Sequence, residues 1–479
     1  MAAVAEAEVP APNRGDSTLS DASQGRHLAK SLRWWDGFIL ALAVPIYLFP
    51  DLGASAVQLG VLATIAVWLL SVIMGALQTN IYVEMALMFP QKSGSLPSYA
   101  REAYDRYTPL VAPLVAWGYW MGWCVVLSIN GLLVGSYLRA AFFPAADPVL
   151  FPKMVGTLML VLMMGIDLVG LRAGKTIRYI LGVLVMVPIL IIMFGVYFSG
   201  HFNPANLTNQ LGIPGNLGTW ASVSIFMYWL YIAGWSSYAF EAVAVHAPEY
   251  KDTLRDTPRA LRTSALFSVI VYGLVPLGLI ATLGTAGISA NTLLPFDKAL
   301  KTVLGGAGGF VTVLMVIAAL ILAAQMSAIA SVRALWQMAE NGLTVTGFSR
   351  LNRWSEPDVA IIFTYAVNIL LIWTVGDVIW LIAASNVGYI GSHIVALGGY
   401  LLLRKDRPKA VRPVKHGPAW AYLAGILLVV NLAAMLIGAP VYGARPLLGG
   451  LATVSVLAFG LYAARSYLQP SAAWRRLWS

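Results

Sequence analysis

One acidic residue lies at the end of the longest charge-free run of the chain. Glu241 follows that run and comes shortly after Trp235, Ser236, Ser237 and Tyr238. A carboxylate in apolar surroundings is costly and is usually paired or functional. It could bind a proton or a cation. The indole face of Trp235 could attract a cation, with a cation–π energy of about 0.5–2 kcal/mol. The hydroxyl groups could accept or donate hydrogen bonds. These residue types favour a site for a small polar or cationic molecule, although serine can also bond to its own helix.

Four further candidates lie inside two other charge-free runs. Trp123 lies in run 107–138, and Asn386, Tyr389 and His393 lie in run 378–403. Histidine can exchange a proton near neutral pH, although a lone histidine in an apolar helix is more often only hydrogen-bonded. These residues are weaker candidates than Trp235 and Glu241, and His393 joins Glu241 as a residue that could bind and release a proton.

The elements that carry these residues are predicted to be membrane helices. Charged residues make up 11% of the chain, hydrophobic residues 59%, and the mean hydropathy is +0.75. A soluble domain has about 25% charged residues, so this composition excludes a soluble enzyme. Eleven charge-free runs are long enough to be considered as membrane spans. The 62-residue run 179–240 is too long for one helix, so it is divided at its polar stretch 199–218. The chain is therefore predicted to be an all-α polytopic membrane protein with twelve transmembrane helices.

The basic residues predict the orientation. With the N-terminus in the cytoplasm, alternate loops and both tails on that side hold 26 of the 31 Lys and Arg residues. Both termini are therefore predicted to be cytoplasmic, with 1–33 a disordered polar tail without a signal peptide and 467–479 a short second tail. This distribution explains the basic balance without a nucleic-acid partner. The lipid bilayer that surrounds the helices is the predicted partner of their apolar surface.

Spans 1 and 6 are irregular. Pro45 and Pro50 predict a break in span 1 near Ala43–Tyr47, because proline removes a backbone donor and clashes with the preceding turn. The chain can be divided into two repeats, 34–200 and 219–404, followed by spans 11 and 12 in 417–466. In that division spans 1 and 6 occupy the same position in the two repeats. Matching interrupted helices indicate a transporter site near the midplane. The site is predicted to include the residues of the break: Ala43, Val44, Pro45, Ile46 and Tyr47. It is also predicted to include Trp123, Trp235, Ser236, Ser237, Tyr238, Asn386 and Tyr389.

Four segments resemble one known family, the amino acid–polyamine–organocation (APC) superfamily. In chain order they are 68–95, containing Tyr82-Val83-Glu84-Met85-Ala86 and Phe89-Pro90-Gln91-Lys92-Ser93-Gly94-Ser95; 235–260, beginning Trp235-Ser236-Ser237-Tyr238-Ala239-Phe240-Glu241; 331–343; and 402–408. Each motif alone is weak, but the four occur in order over nearly the whole chain.

The resemblance implies a LeuT-like five-plus-five inverted repeat with discontinuous helices 1 and 6. It also implies a secondary active transporter in the cell membrane that moves a small amino acid, amine or related organic cation by alternating access. Glu241 matches the family's acid, and Trp235 matches a gating aromatic residue. We expect proton-coupled symport, with substrate/product exchange as the alternative and a non-transporting sensor as a weaker one. No cofactor or resident metal is expected, and the resemblance admits a homodimer.

The chain departs from the family at the glycines of spans 1 and 6. Tyr47 and Phe49 occupy the usual glycine positions of span 1, and Ala239 replaces a glycine in span 6. A side chain there narrows the close backbone approach that glycine permits. Small amines or amino-acid derivatives are therefore favoured over large free α-amino acids.

Overall fold

The computed structural model describes residues 32–42, 48–90, 95–170, 186–187, 189–208, 218–290, 292 and 294–468. The predicted break at Ala43–Tyr47, with five predicted site residues, lies outside the described residues, as does most of both predicted tails. Within the described part, the only β pairing is an isolated parallel bridge between Leu32 and Tyr250.

Fifteen α-helices carry the described fold. They are α1 Trp34–Ala41, α2 Phe49–Leu59, α3 Val61–Met88, α4 Ser95–Tyr104, α5 Val111–Cys124, α6 Val126–Phe142, α7 Leu150–Val169, α8 Thr219–Ser237, α9 Thr253–Ser289, α10 Pro295–Glu340, α11 Asp358–Thr374, α12 Val378–Asp406, α13 Ala419–Ala433, α14 Ala444–Ser455 and α15 Leu461–Leu468. Short helical turns lie at Ile191–Phe198 and Ala205–Thr208, a 3₁₀ segment follows α8, and π turns interrupt the last two spans.

Eight helical stretches of the described chain are long and apolar enough to cross a membrane. They are Val61–Met88, Val111–Phe142, Leu150–Val169, Thr253–Ser289, Val313–Glu340, Val378–Asp406, Ala419–Tyr442 and Ala444–Leu468. They correspond to predicted spans 2, 3, 4, 7, 8, 10, 11 and 12, and the shorter apolar helix α11 corresponds to span 9. The prediction of an all-α multi-pass protein is confirmed, whereas the twelve-span inverted repeat stays a prediction.

Span 6 changes its helical type in the middle. The α-helical part ends at Ser237, and residues Ala239–Glu249 form a 3₁₀ segment. The hydroxyl of Tyr272 on α9 donates a hydrogen bond to the carbonyl oxygen of Ser236, at 2.9 Å. Because a side chain from another helix occupies this carbonyl, the backbone ladder of α8 is weakened where the helical type changes.

Helices α5 and α12 approach each other backbone to backbone. A Cβ atom added at Gly118 would lie 2.7 Å from the carbonyl oxygen of Gly388, and one added at Gly388 would lie 2.6 Å from Cα of Gly118. Both distances are shorter than any ordinary carbon contact. The two glycines therefore allow α5 and α12 to hold their aromatic side chains close together one turn further along.

Segments predicted to be cytoplasmic meet at one end of the molecule, here called the basic end and formed by 95–110, 250–262, 341–357 and 407–418. Arg101 donates a hydrogen bond to the carbonyl oxygen of Asn341 at 3.3 Å, and Arg407 pairs with Glu102 at 3.1 Å. The loops of the opposite end also meet, since Tyr442 donates to Asp377 at 3.2 Å. Loops predicted to share a side of the membrane therefore lie together.

A second ion-pair group at the basic end joins the 3₁₀ segment to α10. Glu249 accepts a hydrogen bond from His246 and pairs with Arg333, each at 3.0 Å. Burial alone would raise the pKa of Glu249, but the hydrogen bond to His246 and the charge of Arg333 hold that pKa below its usual value. The carboxylate is therefore charged and ties the end of span 6 to span 8.

Candidate functional site

A cavity of about 190 Å³ lies where α5, α6, the junction of span 6 and α12 meet. Its lining residues are Gly122, Trp123, Val126, Trp235, Ala239 and Tyr389. Three of these were predicted as site residues from the sequence, and Ala239 was singled out for the glycine it replaces. None of the lining side chains is charged. The cavity therefore offers aromatic faces, small apolar groups and backbone atoms to a ligand.

Trp235 closes the cavity toward the opposite end. Its indole N–H donates a hydrogen bond to the carbonyl oxygen of Gly122 on α5, at 3.2 Å. A Cβ atom at Gly122 would lie 2.7 Å from Cβ of Tyr389, so only glycine lets the tyrosine pack at this point. Trp235 thus links span 6 to α5 across the cavity.

Glu241 lies beyond Ala239, on the side of the cavity that faces the basic end, and is fully buried. The Ser95 hydroxyl donates to Oε2 at 2.7 Å, and the Tyr389 hydroxyl donates to Oε1 at 3.3 Å. Tyr389 packs against Tyr119 of α5, with ring centroids 6.2 Å apart. This layer joins α4, α5, span 6 and α12 and separates the cavity from the basic end.

His393 lies one turn beyond Tyr389 on α12 and is enclosed by aromatic rings. Its Nδ1 shares a hydrogen bond with the Tyr82 hydroxyl at 2.9 Å, and its ring centroid is 5.7, 5.1 and 4.8 Å from those of Tyr82, Tyr238 and Tyr389. Its Nε2 is buried and has no hydrogen-bond partner among the described residues. The histidine extends the Glu241 layer but does not line the cavity.

The hydroxyl groups predicted on span 6 point to other helices. Ser236 donates to Tyr272, and Ser237 bonds to Ser71 of α3 at 2.6 Å. The Tyr238 hydroxyl donates to Asn431 of α13 at 3.0 Å. In this conformation these three side chains fasten span 6 to its neighbours.

Asn386 has a comparable contact on α12. Its side-chain amide donates to the carbonyl oxygen of Tyr231 on α8, one turn before Trp235. Asn386 therefore joins α12 to span 6 above the cavity without lining it.

Sequence reasoning identified Tyr389 but missed two other residues of the Glu241 layer, Ser95 and Tyr119. Ser95 follows Ser93 and Gly94 in the motif after span 2, which attracted notice only as part of the resemblance. Tyr119 lies four residues before Trp123 and so shares its face of α5. The aromatic spacing on α5 was a usable signal for Tyr119, whereas nothing local marked Ser95.

Glu84 is buried at the basic end and belongs to an ion-pair cluster. It pairs with Arg404 at 2.6 Å and Arg412 at 3.0 Å, and His416 Nδ1 lies 3.1 Å from it. These partners come from α12 and the loop that follows it. The cluster joins span 2 to span 10 and lies away from the cavity. Among the described residues no group of His, Cys, Asp or Glu is arranged to hold a metal ion.

Comparison with known proteins agrees with this architecture. Residues 32–459 match the family described as amino acid permease. The lysine-specific permease LysP of Lactococcus lactis subsp. cremoris (strain MG1363) is 23% identical over 399 residues, covering 76% of this chain and 77% of that protein. The histidine permease HisP of the same strain is 24% identical over 379 residues, covering 73% of this chain and 76% of that protein. Since the family match extends over most of the sequence and the described helices are those of a multi-pass membrane protein, this chain belongs to the amino acid permease family.

Proposed function

We propose that this permease carries a small amino acid or amine across the cell membrane by alternating access, in symport with protons. The observation that carries the proposal is the cavity between Trp235 and the Glu241 layer. A transporter needs a ligand site that both sides can close. Here Trp235 closes one side, and Glu241 with Ser95 and Tyr389 closes the other.

The cavity favours a small ligand with an amino group. Trp123, Trp235 and Tyr389 present aromatic faces, which attract ammonium groups without a charged partner. The names of the two relatives, lysine-specific permease and histidine permease, support a substrate of this class. The backbone of Ala43–Tyr47 completes the site in this proposal, with Val44, Pro45 and Ile46 between its ends.

Glu241 is proposed to carry the coupling proton. As a carboxylate it accepts the hydrogen bonds of Ser95 and Tyr389 and so holds α4 and α12 against span 6. A protonated carboxyl has one oxygen less able to accept a hydrogen bond. Protonation therefore loosens the layer toward the basic end, which couples proton binding to opening. His393, in contact with Tyr389, is the second candidate for this role.

The movement follows from the proposed repeats. Spans 1–5 in 34–200 and spans 6–10 in 219–404 form the inverted pair, and spans 1, 2, 6 and 7 rock against spans 3–5 and 8–10. The basic end faces the cytoplasm and both termini lie there. Substrate/product exchange uses the same cavity without net proton movement and is the alternative.

Uptake into proteoliposomes tests the proposal. Radiolabelled lysine, histidine, leucine and ethylamine are offered with an inward proton gradient, with an inward sodium gradient, and with unlabelled compound inside. We expect accumulation of a small or amine-rich compound under the proton gradient, with leucine a poor substrate because Ala239 narrows the cavity. Leucine as the best substrate would contradict the assignment at Ala239, and uptake only against internal substrate would replace symport by exchange.

Two tryptophan variants locate the site. Trp235→Ala removes a cavity wall and is expected to lower the apparent substrate affinity at least tenfold. Trp220→Ala is the control, because Trp220 lies on the same helix, is 68% exposed and does not line the cavity. Equal effects of the two variants would move the site away from this cavity.

A further inference from the structure

Asp51 is a buried carboxylate without a partner. It lies in the first turn of α2, which follows the break predicted in span 1, and its exposed fraction is 0%. Neither of its oxygens has a hydrogen-bond partner among the described residues, not even a backbone N–H of its own helix end. The other two buried acids of the core, Glu84 and Glu241, are both hydrogen-bonded. Asp51 therefore differs from them in having nothing to compensate its charge.

Its position is on the side of the cavity that faces the opposite end. Helix α2 packs against α3, α8 and α9, and Tyr228 of α8 is close enough to interact electrostatically with Asp51. Tyr228 precedes Trp235 by two helical turns, which corresponds to about 10 Å along α8. Asp51 thus lies beyond Trp235, where a solute from the opposite end would arrive before it reaches the cavity.

The titratable groups of the elements packed against α2 leave Asp51 without a basic partner. On α10, which also packs against α2, Lys298 donates to the carbonyl oxygen of Gly287 at 3.2 Å and Lys301 pairs with Asp297 at 2.9 Å. In the described chain Tyr228 is the titratable group of the neighbouring elements that interacts with it, and beyond Tyr228 lie Tyr442 and Asp377. The rings of Tyr228 and Tyr442 stack with centroids 6.1 Å apart. None of the ion pairs of the described residues includes Asp51. No basic side chain is therefore in place to neutralise it.

A bare carboxylate in such a place must be neutralised by something that arrives from solution. Burying an isolated charge costs far more than a fold can easily supply, so the group binds a proton or a cation instead. An asparagine of the same shape would avoid this cost. The presence of an acid at this position is explained if its charge has a function, as it has for ionisable residues along ion pathways in membrane proteins.

We propose that Asp51 is a monovalent-cation site on the outward side of the substrate cavity, where the permease takes up the proton or sodium ion that drives transport. This inference rests on the proposed transport function and adds to it a second carboxylate besides Glu241. The cation binds between α2 and the outer part of α8, next to Tyr228. Its binding removes the unpaired charge and so favours the close packing of α2 against α8 that covers the cavity.

The first test measures stability and needs no substrate. Thermal unfolding of the purified permease is followed between pH 5.5 and pH 9, in sodium chloride and in choline chloride. A group that binds a cation more tightly when folded stabilises the fold as cation concentration rises. The wild type is therefore expected to unfold at higher temperature at low pH if the cation is a proton, or in sodium chloride if it is sodium.

Asp51→Asn should lose the part of that dependence that Asp51 contributes, which leaves only the pH dependence due to Glu241. It should unfold at the same or a higher temperature than the wild type at pH 9 in choline chloride. The control is Asp377→Ala, because Asp377 caps α12 through the Trp380 N–H and accepts from Tyr442. Loss of these bonds should lower the unfolding temperature while leaving the cation dependence. An Asp51→Asn protein that unfolds several degrees lower and keeps the wild-type dependence on pH and sodium would overturn the proposal.

The second test measures coupling in the proteoliposomes described above. Asp51→Asn is expected to lose at least tenfold in gradient-driven accumulation of the compound that the wild type transports best. If the wild type accumulates none of the compounds, the proposed function fails while the unfolding result still decides whether Asp51 binds a cation. Unchanged accumulation by Asp51→Asn would contradict the cation's role in transport.

Discussion

Glu241 is the residue on which proton coupling depends in our proposal. It is fully buried, it lies next to the cavity, and its two oxygens receive hydrogen bonds from different helices. A change in its charge therefore acts directly on contacts between α4, span 6 and α12.

Glu241→Gln separates the two roles. The amide resembles the protonated acid in shape and hydrogen bonding but cannot release a proton, so proton-driven accumulation is expected to fall at least tenfold while exchange of labelled for unlabelled substrate survives in part. Both activities are measured in the same proteoliposomes. Glu340→Gln is the control, because Glu340 is an exposed acid at the end of α10. Full accumulation by Glu241→Gln with an unchanged pH profile would exclude Glu241 and make His393 the next residue to test.

Sequence alone could identify Glu241 but not its environment. An acid after a long apolar run stands out because burial of a charge is rare. Trp235 was marked by its aromatic face and by its match to the family's gating residue. The bond to Ser95 joins residues 146 positions apart, and no local pattern encodes such a contact. The hydroxyls of Ser236, Ser237 and Tyr238 were correctly noticed as unusual, but their direction depends on how span 6 is rotated against α3, α9 and α13.

At the scale of elements, apolar run length predicted most helices because the bilayer requires every backbone group to bond within its own segment. Run length cannot predict where a helix changes type, since that depends on neighbours such as Tyr272, whose hydroxyl takes the Ser236 carbonyl. A hydropathy pattern also does not show where the backbones of two helices approach each other closely. Gly118 and Gly388 fix the distance between α5 and α12, and the sequence offered no reason to select them among 44 glycines.

Gly388→Ala tests whether this approach sets the stability of the helix pair. The added methyl would lie 2.6 Å from Cα of Gly118, so the helices must separate, and we expect a loss of about 1–3 kcal/mol. Thermal unfolding in detergent measures the change. The matched control is Gly391→Ala, three residues along α12, where an added Cβ meets nothing within 4 Å and helix propensity favours alanine by up to about 1 kcal/mol. Equal unfolding temperatures for the two variants would contradict the role of the glycine pair.

For the whole molecule, the two ends differ in charge and in their contacts. The loops predicted to be cytoplasmic hold ion pairs between separate spans, such as Glu84 with Arg404 and Glu249 with Arg333. The opposite end has the stacked pair of Tyr228 with Tyr442, and Asp51 lies below its surface. This asymmetry suits a permease that receives cation and substrate at the opposite end and releases them at the basic end.

The orientation can be tested with single cysteines. The chain has one native cysteine, Cys124, which is buried in α5, so the wild type should react slowly with an impermeant maleimide and serves as the background. His201→Cys places a thiol at an exposed position of the opposite end, and Lys251→Cys places one at an exposed position of the basic end. The segments assigned to the cytoplasm hold 26 of the 31 basic residues. We therefore expect the cysteine at position 201 to be labelled in intact cells, and the cysteine at position 251 to be labelled only after the cells are permeabilised. The reverse pattern would invert the orientation and place Asp51 on the cytoplasmic side of the cavity. Equal labelling of both positions in intact cells would contradict a single orientation of the protein in the membrane.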